Sequence, residues 1–281
     1  EGELERINEV AGSLGLKAPV AVRVNPDVDA KTHKFISTGK SKNKFGIGID
    51  RAAAVYEVAA RLPNLRIRGV QTHIGSQILE AGPFAEAAGK LAALVADLKK
   101  NHDLEFFDFG GGIGIVYDEA LESGSGGWWE GSGDKRRITP EDYAAAIVPV
   151  LKPLGLRILF EPGRFIVGNA GALLSTVQYV KQTPAKTFTI IDAAMNDLIR
   201  PALYEGWHEI VPLSQSAAEK SPMDIVGPVC ESGDFFAQDR PLAPLSPGDR
   251  IAVLSSGAYG FVMSSNYNSR PLLPEILVDG A

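Results

Sequence analysis

Cysteine is nearly missing from this chain: Cys230 is the single one. No internal disulfide can form, which agrees with a reducing compartment. Histidine is scarce too, with four, and neither residue type falls at the spacing of a zinc site, so no metal is expected. No apolar run approaches the ~18 residues needed to cross a bilayer. The opening EGELERINEV lacks the basic and apolar regions of a signal peptide, so a soluble, cytoplasmic protein with no membrane partner is expected. An excess of positive charge is also absent: the net charge of −6 argues against a nucleic-acid partner. The local run KTHKFISTGKSKNK (31–44) reads as a solvated basic loop. What is present is ordinary folded material. The 281 residues are 45% apolar and 22% charged, with 30 Gly and 18 Pro, enough for a sizeable core and unlike disordered or fibrous chains.

Through the first 170 residues or so, apolar β-rich segments alternate with helical ones. VAVRV (20–24), IRGVQTHI (67–74), FFDFG (106–110) and RILFE (157–161) read as strands. RAAAVYEVAARL (51–62), FAEAAGKLAALVADLKK (84–100) and PEDYAAAIVPVLKPL (140–154) read as helices. Strand alternating with helix implies parallel βαβ units. After about residue 172 the texture changes to short strands with Pro/Gly turns, in LLSTVQYVKQ, TFTIID, MDIVGPVC and DRIAVLSS, as in an antiparallel β domain. The expected division is therefore 1–172 and 173–281. A Gly/Trp-rich loop, SGSGGWWEGSG (123–133), interrupts the first part.

Polar residues of the parallel half fall at the carboxyl ends of its strands: Asn25, His73, Gly110 to Gly112, and Glu161. That rim carries the chemistry in a (β/α)8 barrel. An open flavodoxin-like sheet also collects ligands there, so placement alone leaves both folds open.

Three motifs stand on this rim. FGGGIG (109–114) lets backbone N–H groups approach an anion, as a phosphate site requires, though a tight βα turn explains it equally well. EPGRF (161–165) brings a carboxylate out of an apolar strand with an arginine close behind. A buried Glu161 would need a cationic partner, and a Glu161–Arg164 ion pair is the plain structural reading. In THIGSQ (72–77), small residues leave the face of the His73 ring open, although a strand-end histidine is more often structural. Taken together, the three suggest one ligand with a phosphate, a flat ring and a basic ring nitrogen. Pyridoxal 5'-phosphate fits, with its phosphate on the glycines, His73 over the ring and Glu161 at the pyridine nitrogen.

THIGSQ, FGGGIG, EPGR, IDAAMNDLIRPALY, CESGD and GAYGFVMSSNYNSRP resemble the signature blocks of the diaminopimelate decarboxylases, fold-type III enzymes similar to alanine racemase. The resemblance runs from about residue 20 to the end of the chain. It implies an α/β fold, a pyridoxal-phosphate-binding (β/α)8 TIM barrel followed by an antiparallel β domain. It also implies a homodimer with active sites at the subunit interface, and conversion of meso-diaminopimelate to L-lysine and CO2.

The resemblance assigns roles residue by residue. His73 covers the cofactor ring, Ser76, Gly111 and Gly112 hold its phosphate, and Glu161 pairs with its nitrogen. Gly163, Arg164 and Tyr259 complete the cofactor set. Arg164, Arg200, Tyr204 and Tyr259 bind the substrate, guanidinium forks suiting carboxylates. Glu231, supplied by the partner subunit, recognises the substrate's distant ammonium. Cys230 of the same loop is the proton donor, and a thiol kept neutral by the nearby Glu231 and Asp234 suits that role. A cysteine packed as a small hydrophobe is the plain alternative.

A block like Y-A-x-K-A-N, which carries the lysine bonded to the cofactor in that family, has no match here. The chain opens without methionine, with about four of the eight strands visible, and a whole barrel takes ~250 residues. On the order of a hundred residues are therefore expected to precede it, and the segment alone is expected to be inactive. Two other readings share these motifs. One is an arginine, ornithine or carboxynorspermidine decarboxylase of the same fold, and the other is a non-catalytic homologue that binds the cofactor without turnover.

Overall fold

The computed structural model describes residues 1–30, 39, 44–118, 138–214 and 216–279. The basic run at 31–44, all but residues 39 and 44, and the Gly/Trp-rich loop at 123–133 lie outside the described residues. The chain packs as two compact units, one of residues 1–114 with 138–163 and one of residues 115–118 with 164–279.

In the first unit the elements run α1 (Gly2–Ser13), β1 (Ala18–Asn25), β2 (Ile47–Gly48), α2 (Ile49–Arg61), β3 (Leu65–Gln71), α3 (Gly82–Asn101), β4 (Phe106–Asp108), α4 (Pro140–Leu151) and β5 (Arg157–Leu159). The five strands form one sheet in the order β2-β1-β3-β4-β5, and every pairing is parallel. Apart from the two-residue edge strand β2, spatial order follows chain order, with a helix crossing between successive strands. That is the winding of a (β/α) barrel wall. The acidic opening segment, legible only as acidic, is the helix α1. All four expected strands are present, but β3, β4 and β5 stop short of the segments expected for them. Just past the strand ends, single bonds still tie neighbouring strands together: Thr72 N–H donates to the Asp108 carbonyl (2.8 Å) and Phe109 N–H to that of Leu159 (3.0 Å).

Tyr56, Phe84, Leu91 and Phe107 are wholly buried in this unit's core. Gly69 in β3 is needed for close approach, since a Cβ there would meet the Phe106 ring at 2.5 Å. Its carbonyl accepts the Tyr56 hydroxyl at 2.8 Å, satisfying the one polar atom that ring brings inside. Pro140 opens α4 behind a capping box, in which Asp142 N–H donates to Thr139 Oγ1 (3.1 Å) and Thr139 N–H to Asp142 Oδ2 (3.2 Å).

The second unit contains the short helices α5 (Gly163–Val167, whose first residue closes the first unit) and α6 (Arg200–Tyr204). Its strands are β6 (Leu173–Gln182), β7 (Thr187–Ile191), β8 (Ile210–Pro212), β9 (Ser221–Val226), β10 (Phe235–Leu242) and β11 (Arg250–Val253). The sheet order is β10-β9-β7-β6-β11-β8. Every pairing is antiparallel except β7 with β9, which is parallel. The long excursion through α6 and β8 brings the chain back in the direction it left, so the antiparallel expectation holds with that one exception. β10 was not legible in FFAQDRPL because it carries Pro241 and two register shifts. Its edge position tolerates both.

Candidate active site

At the carboxyl end of the parallel sheet, three strand-end turns are tied to one another. Thr72 Oγ1 donates to the Val24 carbonyl (2.9 Å), Gly110 N–H to Asp108 Oδ1 (2.9 Å) and Glu161 N–H to the Gly110 carbonyl (3.0 Å). The glycines are required by space. A Cβ at Gly111 would lie 2.1 Å from the Glu161 carbonyl oxygen, and at Gly112, whose φ is +118°, 2.4 Å from that of Gly75. Gly111 N–H donates to His73 Nδ1 at 3.2 Å. Nδ1 therefore carries no hydrogen and a neutral ring is protonated at Nε2. Burial, and then the positive charge of Arg23, hold the His73 pKa down at about 4. Thus His73, Gly111 and Glu161 share one rim, and Ser76 lies in the same turn as His73. At the ends of β1 and β2 a pocket of about 500 Å³ is lined by Asn25, Asp27, Phe45 and Asp50 among others, and neither His73, Gly111 nor Glu161 is part of its lining.

Glu161 differs from expectation in being exposed. Its carboxyl is nevertheless held above the ordinary carboxylate range, first by partial desolvation and then by the adjacent Asp108. A hydrogen bond from Gln71 Nε2 (3.4 Å) and the charge of Arg23 pull the other way. Arg23 also donates to the His73 carbonyl at 3.2 Å. The cation acting on Glu161 in this unit is thus one that leaves β1, an arginine in an otherwise apolar strand. Two neighbouring acids, Glu161 being the one that Arg23 acts on, favour a further positive charge between them. A protonated ring nitrogen meets that requirement, and a neutral, flat imidazole beside crowded glycine N–H groups suits the remainder of a phosphorylated pyridine. The residues present therefore fit pyridoxal phosphate.

The second unit gathers the arginines. Arg164 and Arg200 are each 7% exposed. Arg164 donates to the Tyr117 hydroxyl, and its guanidinium lies 4.7 Å from the Tyr259 ring centroid. Arg200 lies 4.3 Å over the Tyr117 ring, and its Nη1 donates to His208 Nε2 at 2.5 Å. Burial lowers the Arg200 pKa, and Arg164 lowers it further while the neighbouring Tyr117 and Tyr204 oppose this. Tyr259 is held at φ +59° in the GAYG turn, where the carbonyl of Ser256 leaves no room for a side chain at Gly260.

Cys230 and Glu231 are exposed at the tip of the turn after β9. Asp234 does not flank the thiol as an acid neighbour. Only 3% exposed, it turns inward and accepts Met195 N–H at 2.6 Å and Val229 N–H at 2.7 Å. The side chain meeting Glu231 is Tyr267, whose hydroxyl donates to Oε2 at 2.5 Å. Gly163 has open space where a Cβ would stand.

Sequence reading missed Arg23, Gln71, Asp108, Tyr117 and His208. For Arg23 and Asp108 a signal existed: each is a charge inside an apolar strand, a costly placement unless it serves a purpose. Tyr117 and His208 carried none, because their value comes from meeting over a separation of 91 positions, as the edge-on approach of their rings at 5.1 Å shows.

Known proteins resemble this chain over most or all of its length. Residues 1–168 match the pyridoxal binding domain of the pyridoxal-dependent decarboxylases. Diaminopimelate decarboxylase of Vibrio cholerae is 50% identical over 282 residues, covering 100% of this chain and 64% of that protein. That of Aquifex aeolicus is 46% identical over 278 residues, with 99% and 63% covered. The crystal structure of diaminopimelate decarboxylase from Helicobacter pylori complexed with L-lysine superposes with a TM-score of 0.87 at 44% identity, over 96% of this chain and 64% of that one. The chain thus spans slightly under two thirds of the length of these relatives.

Proposed function

Because the chain belongs to the pyridoxal-dependent decarboxylases, we propose that the protein is a cytoplasmic, homodimeric diaminopimelate decarboxylase, releasing CO2 from meso-diaminopimelate to leave L-lysine. Within that reading residues 1–172 are the barrel part and residues 173–281 the β domain. The observation that carries it is the convergence of His73, Gly111 and Glu161 on one rim, with Gly111 N–H on the imidazole and a second acid beside Glu161.

When bound, pyridoxal phosphate supplies an electron sink for the pair left at Cα as CO2 departs. The chain's own residues do the rest. His73, neutral because it is half-buried, packs flat on the ring without repelling a cation. The Gly112 amide and Ser76 take the phosphate in the turn that Gly111 shapes, the Gly111 N–H itself being given to His73 Nδ1; Gly163 lies beside the cofactor, and Glu161, backed by Asp108, keeps the ring nitrogen protonated. Arg164, Arg200, Tyr204 and Tyr259 receive substrate carboxylate, a planar anion that guanidinium forks can bind through two bonds at once. Cys230, on the loop anchored by Asp234, delivers a proton from sulfur to Cα, and Glu231 pairs with the distal ammonium. Both serve the active site of the partner subunit.

Parallel turnover assays of the holoenzyme with meso-diaminopimelate, L-ornithine and L-arginine test the assignment. Diaminopimelate is expected to be preferred by roughly a hundredfold or more, since a site built for a polar distal end rejects analogues without it. A preference for ornithine or arginine would replace this reading with the other decarboxylases of the fold, and binding of cofactor with no turnover would make the protein a non-catalytic homologue.

A further inference from the structure

Arg164, Arg200 and Arg240 are all buried in the second unit, and of the two that meet Tyr117, Arg200 has the simpler surroundings. Among the described residues its partners are neutral: the Tyr117 ring on one face and His208 Nε2 against Nη1. His208 is wholly buried, and its Nδ1 faces the Leu254 carbonyl at 2.8 Å. A carbonyl only accepts, so Nδ1 carries the hydrogen and Nε2 presents a bare lone pair to Arg200. The backbone behind this contact is fixed: Leu254 N–H donates to the Glu209 carbonyl at 2.8 Å, and the His208 carbonyl accepts Arg240 Nη1 at 2.8 Å. Tyr117 packs edge-on against the same imidazole while its hydroxyl meets Arg164. The two guanidiniums therefore flank one aromatic ring, and one of them is gripped from behind by a histidine that cannot rotate.

We infer that His208 is a positioning residue for substrate recognition, its bare Nε2 fixing the Arg200 guanidinium so that the remaining donors face a carboxylate. This rests on the decarboxylase reading and adds to it a residue that touches neither substrate nor cofactor. A second imidazole proton would set cation against cation. The groups facing His208 are Arg200, Tyr117 and the Leu254 carbonyl, with Arg164 and Arg240 acting at longer range, and all the charged ones are positive.

Two variants of the holoenzyme test it. His208→Leu removes the acceptor while keeping apolar bulk, and His208→Gln keeps an acceptor oxygen. For His208→Leu, KM for meso-diaminopimelate is expected to rise roughly tenfold with kcat changed less than about threefold, and His208→Gln is expected to recover most of the loss. An unchanged KM in His208→Leu, or a His208→Gln variant equally impaired, overturns the positioning role. Should the leucine variant not fold, ¹⁵N NMR of the wild-type ring decides. The neutral Nδ1–H tautomer is expected between about pH 5 and about pH 9, and the opposite tautomer or an imidazolium overturns the proposal. A wild-type holoenzyme inactive on diaminopimelate removes the activity and this proposal together, whereas an active wild type with an indifferent His208→Leu removes the positioning role alone.

Discussion

Cys230 and Glu161 divide the proposed chemistry between a proton donor and a partner for the ring nitrogen, and each can be removed without collapsing the fold because both are exposed. Cys230→Ala is expected to retain cofactor, measured as bound chromophore per subunit, while kcat falls about a hundredfold or more. Undiminished turnover would transfer the proton to another group. Glu161→Gln is expected to keep phosphate binding and lose a similar factor in kcat, read by the same pair of measurements. Gly111 offers no such freedom: in Gly111→Ala the new carbon would strike the Glu161 carbonyl, so thermal stability and cofactor content are expected to fall together. At this scale the sequence showed the exposed reagents and the glycines. It could not show that Asp234 faces inward or that Asp108 backs Glu161, since both depend on where neighbouring turns bring their backbone.

At the scale of elements, the strand-helix alternation was legible because apolar periodicity survives in each segment, from VAVRV to RILF. What stayed hidden were β10 with its proline and the short strands β2 and β8, of two and three residues, too brief to show a period. The helix α4 provides a control remote from the chemistry. Thr139→Ala removes half of its capping box and is expected to cost about 1 kcal/mol, seen as a lower urea midpoint, with cofactor content unchanged. The turn from 227 to 234 is the opposite case. Its two carboxylate-to-amide bonds from Asp234 hold the segment carrying Cys230, so Asp234→Ala is expected to lower kcat although the residue touches no reacting atom.

Across the whole molecule, acid should weaken the fold through two histidines, the buried His208 and the half-buried His73. His73 and His208 both have pKa values held down to about 4 from an ordinary 6.5, chiefly by burial. The unfolded chain takes up those protons first, so their contribution is complete above about pH 6.5 and is lost as pH falls toward 4. Glu161 and Asp234, whose pKa values are raised, act in the opposite direction. Comparing urea midpoints of wild type and His208→Gln across this range isolates one histidine, and a shallower slope is expected in the variant. The two-part organisation was readable from the change in texture near residue 172. The pairing of β7 with β9 in parallel was not, because strand direction is set by the path of the intervening chain.

The most direct measurement is diffraction from crystals of the protein grown with pyridoxal phosphate. Density for the ring against the His73 imidazole, its nitrogen at the Glu161 carboxyl and its phosphate at the Gly112 amide and Ser76 is the predicted result; an ordered cofactor bound at any other place contradicts the account.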